Sequence, residues 1–156
     1  MEMMRFTIAP ADDMAEVAAL FRDYAAWLDV DLCFQGFEQE LAELPAPYAP
    51  PSGAILLARD TRGAALGVIA LKPLGQSVGE IKRLYVKPEA RGLGVGKALA
   101  AAIITEARRI GFAELKLDTL PKLEGAIALY RGFGFEPIAP YGSHPYPGLL
   151  CFGLAL

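Results

Sequence analysis

RGLGVG, residues 91–96, sets Gly92, Gly94 and Gly96 at alternate positions directly ahead of the apolar run ALAAAII, residues 98–104. Glycine beside or within a helix costs about 0.5–1 kcal/mol relative to alanine. Three together point to a backbone that something approaches closely, or to dihedrals that other residues resist. The flanks say which elements the loop joins. EIKRLYV, residues 80–86, is a strand-like run ended by Lys87 and Pro88. After the glycines, Leu99, Ile103, Ala107 and Ile110 recur at helical spacing, and Gly111 closes that helix. A strand, a glycine loop and a helix bring free N–H groups and the positive end of a helix dipole to one point. That arrangement receives an anion, with phosphate the natural candidate.

Outward from the loop the chain reads as mixed α and β. FTIA is a short strand running into a helix capped by Asp12 or Asp13, with Met14, Val17, Leu20, Phe21, Tyr24 and Leu28 as its apolar stripe. FEQELAEL is a second short helix, and the prolines of LPAPYAPPSG mark a surface loop. AILLARD and ALGVIALKP flank TRG as an antiparallel hairpin. Beyond the long helix, ELKLDT is a strand, GAIALYRGF a helix, and FEPI and LLCFGLAL are strands. No repeat or linker divides residues 1–156, so a single domain is expected.

Composition narrows the function. With 54% apolar and 21% charged residues the chain is a globular protein, and at 156 residues it can bury a proper core. A net charge of −3 with scattered Lys and Arg gives no electrostatic reason to expect nucleic acid or an anionic membrane as partner. The longest wholly apolar run, Ala98 to Ile104, is far too short for a membrane span, and the acidic, charged start lacks a secretory layout. A cytoplasmic location is the expectation. Cys33 and Cys151 form no CxxC pair, and the lone His144 lies in a Pro- and Gly-rich loop, so no metal site is expected.

Residue identities separate three phosphate-binding schemes. A dinucleotide fingerprint GxGxxG begun at Gly92 needs glycine where Lys97 stands, and begun at Gly94 needs it at Leu99. A nucleotide P-loop needs glycine at Arg91 and Ser or Thr at Ala98. The third pattern is Gln or Arg, two residues, Gly, one residue, then Gly or Ala. Arg91, Gly94 and Gly96 match it.

That loop resembles the pyrophosphate loop of the GNAT superfamily of N-acetyltransferases, and the likeness extends to both flanks. Leu84-Tyr85-Val86 matches the strand end before the family's loop, and Ala126 to Phe135 in AIALYRGFGF matches the helix after it. In all it covers about residues 54 to 139. The resemblance implies an α/β fold with helices on both faces of a mostly antiparallel sheet, splayed between its fourth and fifth strands. It implies acetyl-CoA as co-substrate and no metal. The pantetheine arm would lie between the strand ending at Val86 and the strand carrying Leu115 and Leu117, paired with main chain over Leu84, Tyr85 and Val86. The pyrophosphate would be held by the loop Arg91, Gly92, Leu93, Gly94, Val95, Gly96 and Lys97.

Acetyl transfer needs a neutral amine, a stabilised oxyanion and a proton for the leaving thiolate. By the resemblance, Tyr130 occupies the place of the family's acid tyrosine, a backbone N–H near Leu84 or Tyr85 serves the oxyanion, and Glu80 is the candidate base. Asp118 is a weaker alternative base, and Leu123 stands where many members carry a CoA-binding asparagine. Asp29, Asp31 and Glu38 could receive a cationic amine. The expected activity is acetylation of a primary amine on a small molecule or peptide by direct attack. A non-catalytic acyl-CoA-binding regulatory module is the alternative, and a homodimer is left open.

Overall fold

The computed structural model describes residues 5–28, 36–75, 77–141 and 148–156. Strand β1 (Phe6–Pro10) leads into helix α1 (Met14–Leu28). Asp13 caps that helix: its Oδ1 accepts the N–H groups of Ala15 at 3.0 Å and Glu16 at 3.3 Å. Asp12 instead pairs with Arg59 at 3.7 Å. Helix α2 (Phe37–Glu43), β2 (Ala54–Asp60), β3 (Ala65–Gly75) and β4 (Val78–Val86) follow. A single 3-10 turn at Pro88–Ala90 precedes α3 (Val95–Ile110), β5 (Glu114–Thr119), α4 (Glu124–Gly132), β6 (Glu136–Pro137) and β7 (Leu150–Ala155).

The strands form one sheet in the order β1-β2-β3-β4-β5-β7-β6, antiparallel at every pairing except β4 with β5. Strand alternation divides the core in two. On one face Ile69, Leu71, Ile81, Leu115 and Leu117 pack against Leu99 and Ile103 of α3 and Tyr130 of α4. On the other, Leu57, Val68 and Ala70 pack against Val17 and Phe21 of α1, with Phe37 of α2 and Tyr48. The proline-rich segment is irregular as expected, but it is no mere surface loop. Tyr48 is only 1% exposed and packs edge-on against Phe21, 6.0 Å between ring centroids, because a large apolar ring gains more from burial than the loop loses by being held.

Two irregularities in β4 shape the centre of the sheet. The parallel ladder to β5 pairs Val78 with Glu114, Gly79 with Leu115 and Glu80 with Lys116, and then ends; beyond it the strands splay. On the other edge, the register with β3 steps from Val68↔Tyr85 to Ala70↔Lys82, so Ile69 stands opposite both Arg83 and Leu84. Arg83 takes a left-handed φ of 64° in this bulge. The extra residue resets the alternation. Ile81, Leu84 and Val86 all pack on the α3 side, and Arg83 turns toward α1 and α2, over the rings of Tyr24 and Phe37.

Candidate functional site

Where β4 and β5 separate, a cleft opens. Ile81 to Leu84 form one wall, Leu117 to Leu120 the other, and Tyr24, Trp27 and Tyr130 close it from the helices. No strand pairs with β4 on this side past Glu80, so the outward peptide groups of its remaining residues line the opening.

At its mouth the cleft meets a groove lined by Leu84, Tyr85, Val86, Arg91, Gly92, Gly94, Val95, Gly96 and Lys97. Gly92 and Gly94 have φ of 79° and 85°, and a Cβ at either would meet nothing within 4 Å. Backbone conformation, not space, demands glycine there. Gly94 is the N-cap of α3, which therefore begins inside the glycine cluster rather than after it. The first intrahelical bond runs from the N–H of Ala98 to the Gly94 carbonyl at 3.0 Å, leaving the N–H groups of Val95, Gly96 and Lys97 without helical partners. Free amides, a helix dipole, Arg91 and Lys97 in one groove are a donor set that fits a diphosphate. Arg91 donates from Nε to the Val86 carbonyl at 3.0 Å, and its guanidinium lies over Trp27 at 5.0 Å and Tyr85 at 5.7 Å. Leu93 does not line the groove and is 37% exposed.

Tyr130 is 5% exposed, packed edge-on against Phe135 at 5.5 Å, and lines the cleft. Burial pushes its phenol pKa well above the usual value, so it keeps its proton. Glu80 sits at the last paired level, 3% exposed, outside the residues that line the cleft. Its Oε2 accepts the Tyr141 hydroxyl at 2.7 Å, and its Oε1 faces Lys72 at 3.6 Å and Lys82 at 4.0 Å. Leu123 is the N-cap residue of α4 and lines the cleft without a side-chain cap.

Arg83 is a site residue that sequence reasoning missed. Its side chain is 4% exposed and donates through Nε and Nη2 to both oxygens of Glu40, at 3.1 and 2.9 Å. Burial works against its charge, yet the bonds to Glu40 win and hold its pKa above the ordinary value. Trp27 was also missed; it lies three residues beyond Tyr24, as Tyr24 lies three beyond Phe21. Three-residue steps fall about 60° short of a full turn each, so the face rotates outward. Phe21 is fully buried, Tyr24 half-buried, and Trp27, 42% exposed, borders both cleft and groove. Glu38 is exposed and pairs with Arg22 at 3.1 Å. Asp29, Asp31, Cys33 and His144 lie outside the described residues. Among the described residues, no group of three or more His, Cys, Asp or Glu is placed to hold a metal ion, and no helix is long and apolar enough to cross a membrane.

The model of the acetyltransferase (GNAT) family matches residues 17–135. An uncharacterised N-acetyltransferase of Schizosaccharomyces pombe is 39% identical over 145 residues, covering 92% of this chain and 89% of its own. The IAA acetyltransferase of Azospirillum brasilense is 43% identical over 82 residues, 51% of this chain and 53% of its own. Among solved structures, one described as an acyl-CoA N-acyltransferase from Klebsiella pneumoniae superposes with a TM-score of 0.77 at 29% identity, covering 99% of this chain and 98% of that one. A Salmonella typhimurium structure solved with its cofactor acetyl-CoA shares the fold, with a TM-score of 0.73 at 22% identity over 96% of this chain and 93% of that one. A groove of free amides, Arg91 and Lys97, running into a cleft between splayed strands, thus sits in a chain whose relatives are N-acetyltransferases, and the chain belongs to the GNAT family of acetyltransferases.

Proposed function

We propose that the chain moves an acetyl group from acetyl-CoA to a primary amine of a small molecule or peptide by direct attack. The observation that carries this reading is the end of the β4–β5 ladder at Glu80 and Lys116, with the free amides of α3 at the mouth of the opening. Acetyl-CoA supplies an acetyl group activated as a thioester. The loop from Arg91 to Lys97 holds its diphosphate, and the exposed edge over Leu84, Tyr85 and Val86 orients the arm. A main-chain N–H at Leu84 or Tyr85, beside the bulge, donates to the carbonyl oxygen as it gains charge. The new N–C bond forms as the C–S bond breaks. One amine proton passes through water to Glu80, and Tyr130 gives its proton to the departing thiolate.

Tyr24 and Trp27 border the side from which the amine arrives, and the apolar walls keep bulk water from the thioester. A regulatory module without turnover finds no favour among relatives named N-acetyltransferases. The test is thiol release with purified protein. Tyr130→Phe should lose about a hundred- to ten-thousandfold in kcat with CoA affinity intact, the range a general acid supplies. Glu80→Gln should lower kcat with KM for acetyl-CoA unchanged. Full activity in Tyr130→Phe removes the tyrosine from the mechanism, and absence of turnover with every amine removes the reaction.

A further inference from the structure

If the parallel ladder ran one step further, Lys82 would stand beside Asp118, because both lie two residues past the last pair, Glu80↔Lys116. Alternation sets both on the sheet face opposite Ile81 and Leu117, the face of α1 and α2, and both line the cleft. The splay therefore holds open what would otherwise close as a cross-strand ion pair.

Neither charge is fully satisfied elsewhere. Lys82 pairs only with Glu80, in a long ion pair of 4.0 Å without a hydrogen bond, and that carboxylate is shared with Lys72 and Tyr141. Among the described residues Lys82 donates no side-chain hydrogen bond, and Asp118 takes part in neither an ion pair nor a side-chain hydrogen bond. Asp118 nevertheless acts on the cleft, since its charge reaches the hydroxyls of Tyr24 and Tyr141. Arg83, the other cation on this wall, is spent on Glu40. The diphosphate does not need Lys82 either, because its donors lie in the separate groove of the α3 loop. The molecule complementary to an opposed, loosely paired ammonium and unpaired carboxylate is a zwitterion.

We propose that the acceptor is a free amino acid, bound as the zwitterion with its ammonium held by Asp118 and its carboxylate by Lys82; the ammonium gives one proton to solvent water before the neutral amine attacks. This rests on the acetyl-transfer reading above and narrows its substrate. Amines that lack a nearby carboxylate, such as polyamines and peptide amino termini, satisfy Asp118 but leave Lys82 with only its long pair to Glu80. Lys82 is then a specificity residue and not part of the proton transfers.

The experiment compares free amino acids with their amides and with the amines left by their decarboxylation, using acetyl-CoA and thiol release. The wild type should favour the amino acids in kcat/KM by about ten- to a hundredfold, the range for a charge-assisted hydrogen bond. Lys82→Met, which keeps the aliphatic stem, should raise KM for amino acids to the level of the decarboxylated amines, while KM for those amines and for acetyl-CoA stays unchanged. Lys82→Arg should restore part of the preference, and melting curves confirm that each variant is folded. Asp118→Asn should raise KM for both acceptor classes. Amides or decarboxylated amines turned over as well as amino acids would overturn the inference and leave acetyl transfer standing. So would an equal loss for both classes in Lys82→Met. Coenzyme A binding with no amine acetylated would overturn acetyl transfer itself, and the inference with it.

Discussion

Replacing Gly94 separates the two tasks assigned to the α3 loop, conformation and charge. Its φ of 85° and ψ of 7° are left-handed, and a Cβ there meets nothing within 4 Å. Gly94→Ala therefore bears only the left-handed penalty, about 1–2 kcal/mol. For a chain of this length that lowers Tm by roughly 2–8 °C. Gly94→Asp carries no larger conformational penalty, because aspartate tolerates this region better than most residues. It adds a carboxylate at the point proposed to hold the diphosphate. A unit charge about 4 Å from one phosphate charge, at the effective dielectric near a protein surface, repels by about 4 kcal/mol. That weakens coenzyme A binding by about three orders of magnitude. The assay is isothermal titration of coenzyme A into wild type, Gly94→Ala and Gly94→Asp, with KM for acetyl-pantetheine, which lacks the diphosphate, as control. Gly94→Asp should lose coenzyme A binding while its KM for acetyl-pantetheine matches that of Gly94→Ala. Equal coenzyme A affinity in the Asp and Ala variants would refute the loop assignment.

Other consequences follow from buried groups. Glu40→Ala leaves the 4%-exposed Arg83 guanidinium without its bidentate partner, so it should destabilise the fold by about 3–5 kcal/mol, read by denaturant melts. Tyr24, Tyr48, Tyr130 and Tyr141 all have hydroxyl pKa values raised first of all by burial. A raised folded-state value means that the folded protein holds these protons more tightly than the unfolded chain does. Stability should therefore be unaffected by them at neutral pH and should fall once pH passes about 10, the ordinary tyrosine value. A melting temperature unchanged from pH 8 to pH 11 would contradict this.

Much of the fold was legible because its signals are local. The Asp cap, the 3.6-residue stripes of α1 and α3, the hairpin at Thr61–Gly63 and the glycine loop each depend on neighbours in sequence. The splay between the fourth and fifth strands came with the family resemblance, not from any residue of β4 or β5 read alone. What stayed hidden depends on contacts distant in sequence. Arg83 looks like an ordinary strand charge until the bulge turns it toward Glu40, 43 residues earlier. Tyr48 lies among prolines that read as surface, yet it is held by Phe21. Lys82 and Asp118 become a pair of interest only once the ladder between their strands is seen to end two residues before them. Glu80 has the sequence position of a base, but its bond to Tyr141 and its place below the opening are tertiary facts.

The most direct measurement is a crystal structure of the protein with coenzyme A. The diphosphate is expected about 2.7–3.2 Å from the amides at the start of α3. The pantetheine arm should run along Leu84 to Val86 into the gap beside Leu117, with its sulfur toward Tyr130. A β4–β5 ladder that continues past Glu80 and Lys116, or a diphosphate seated away from Gly94 to Lys97, would contradict it.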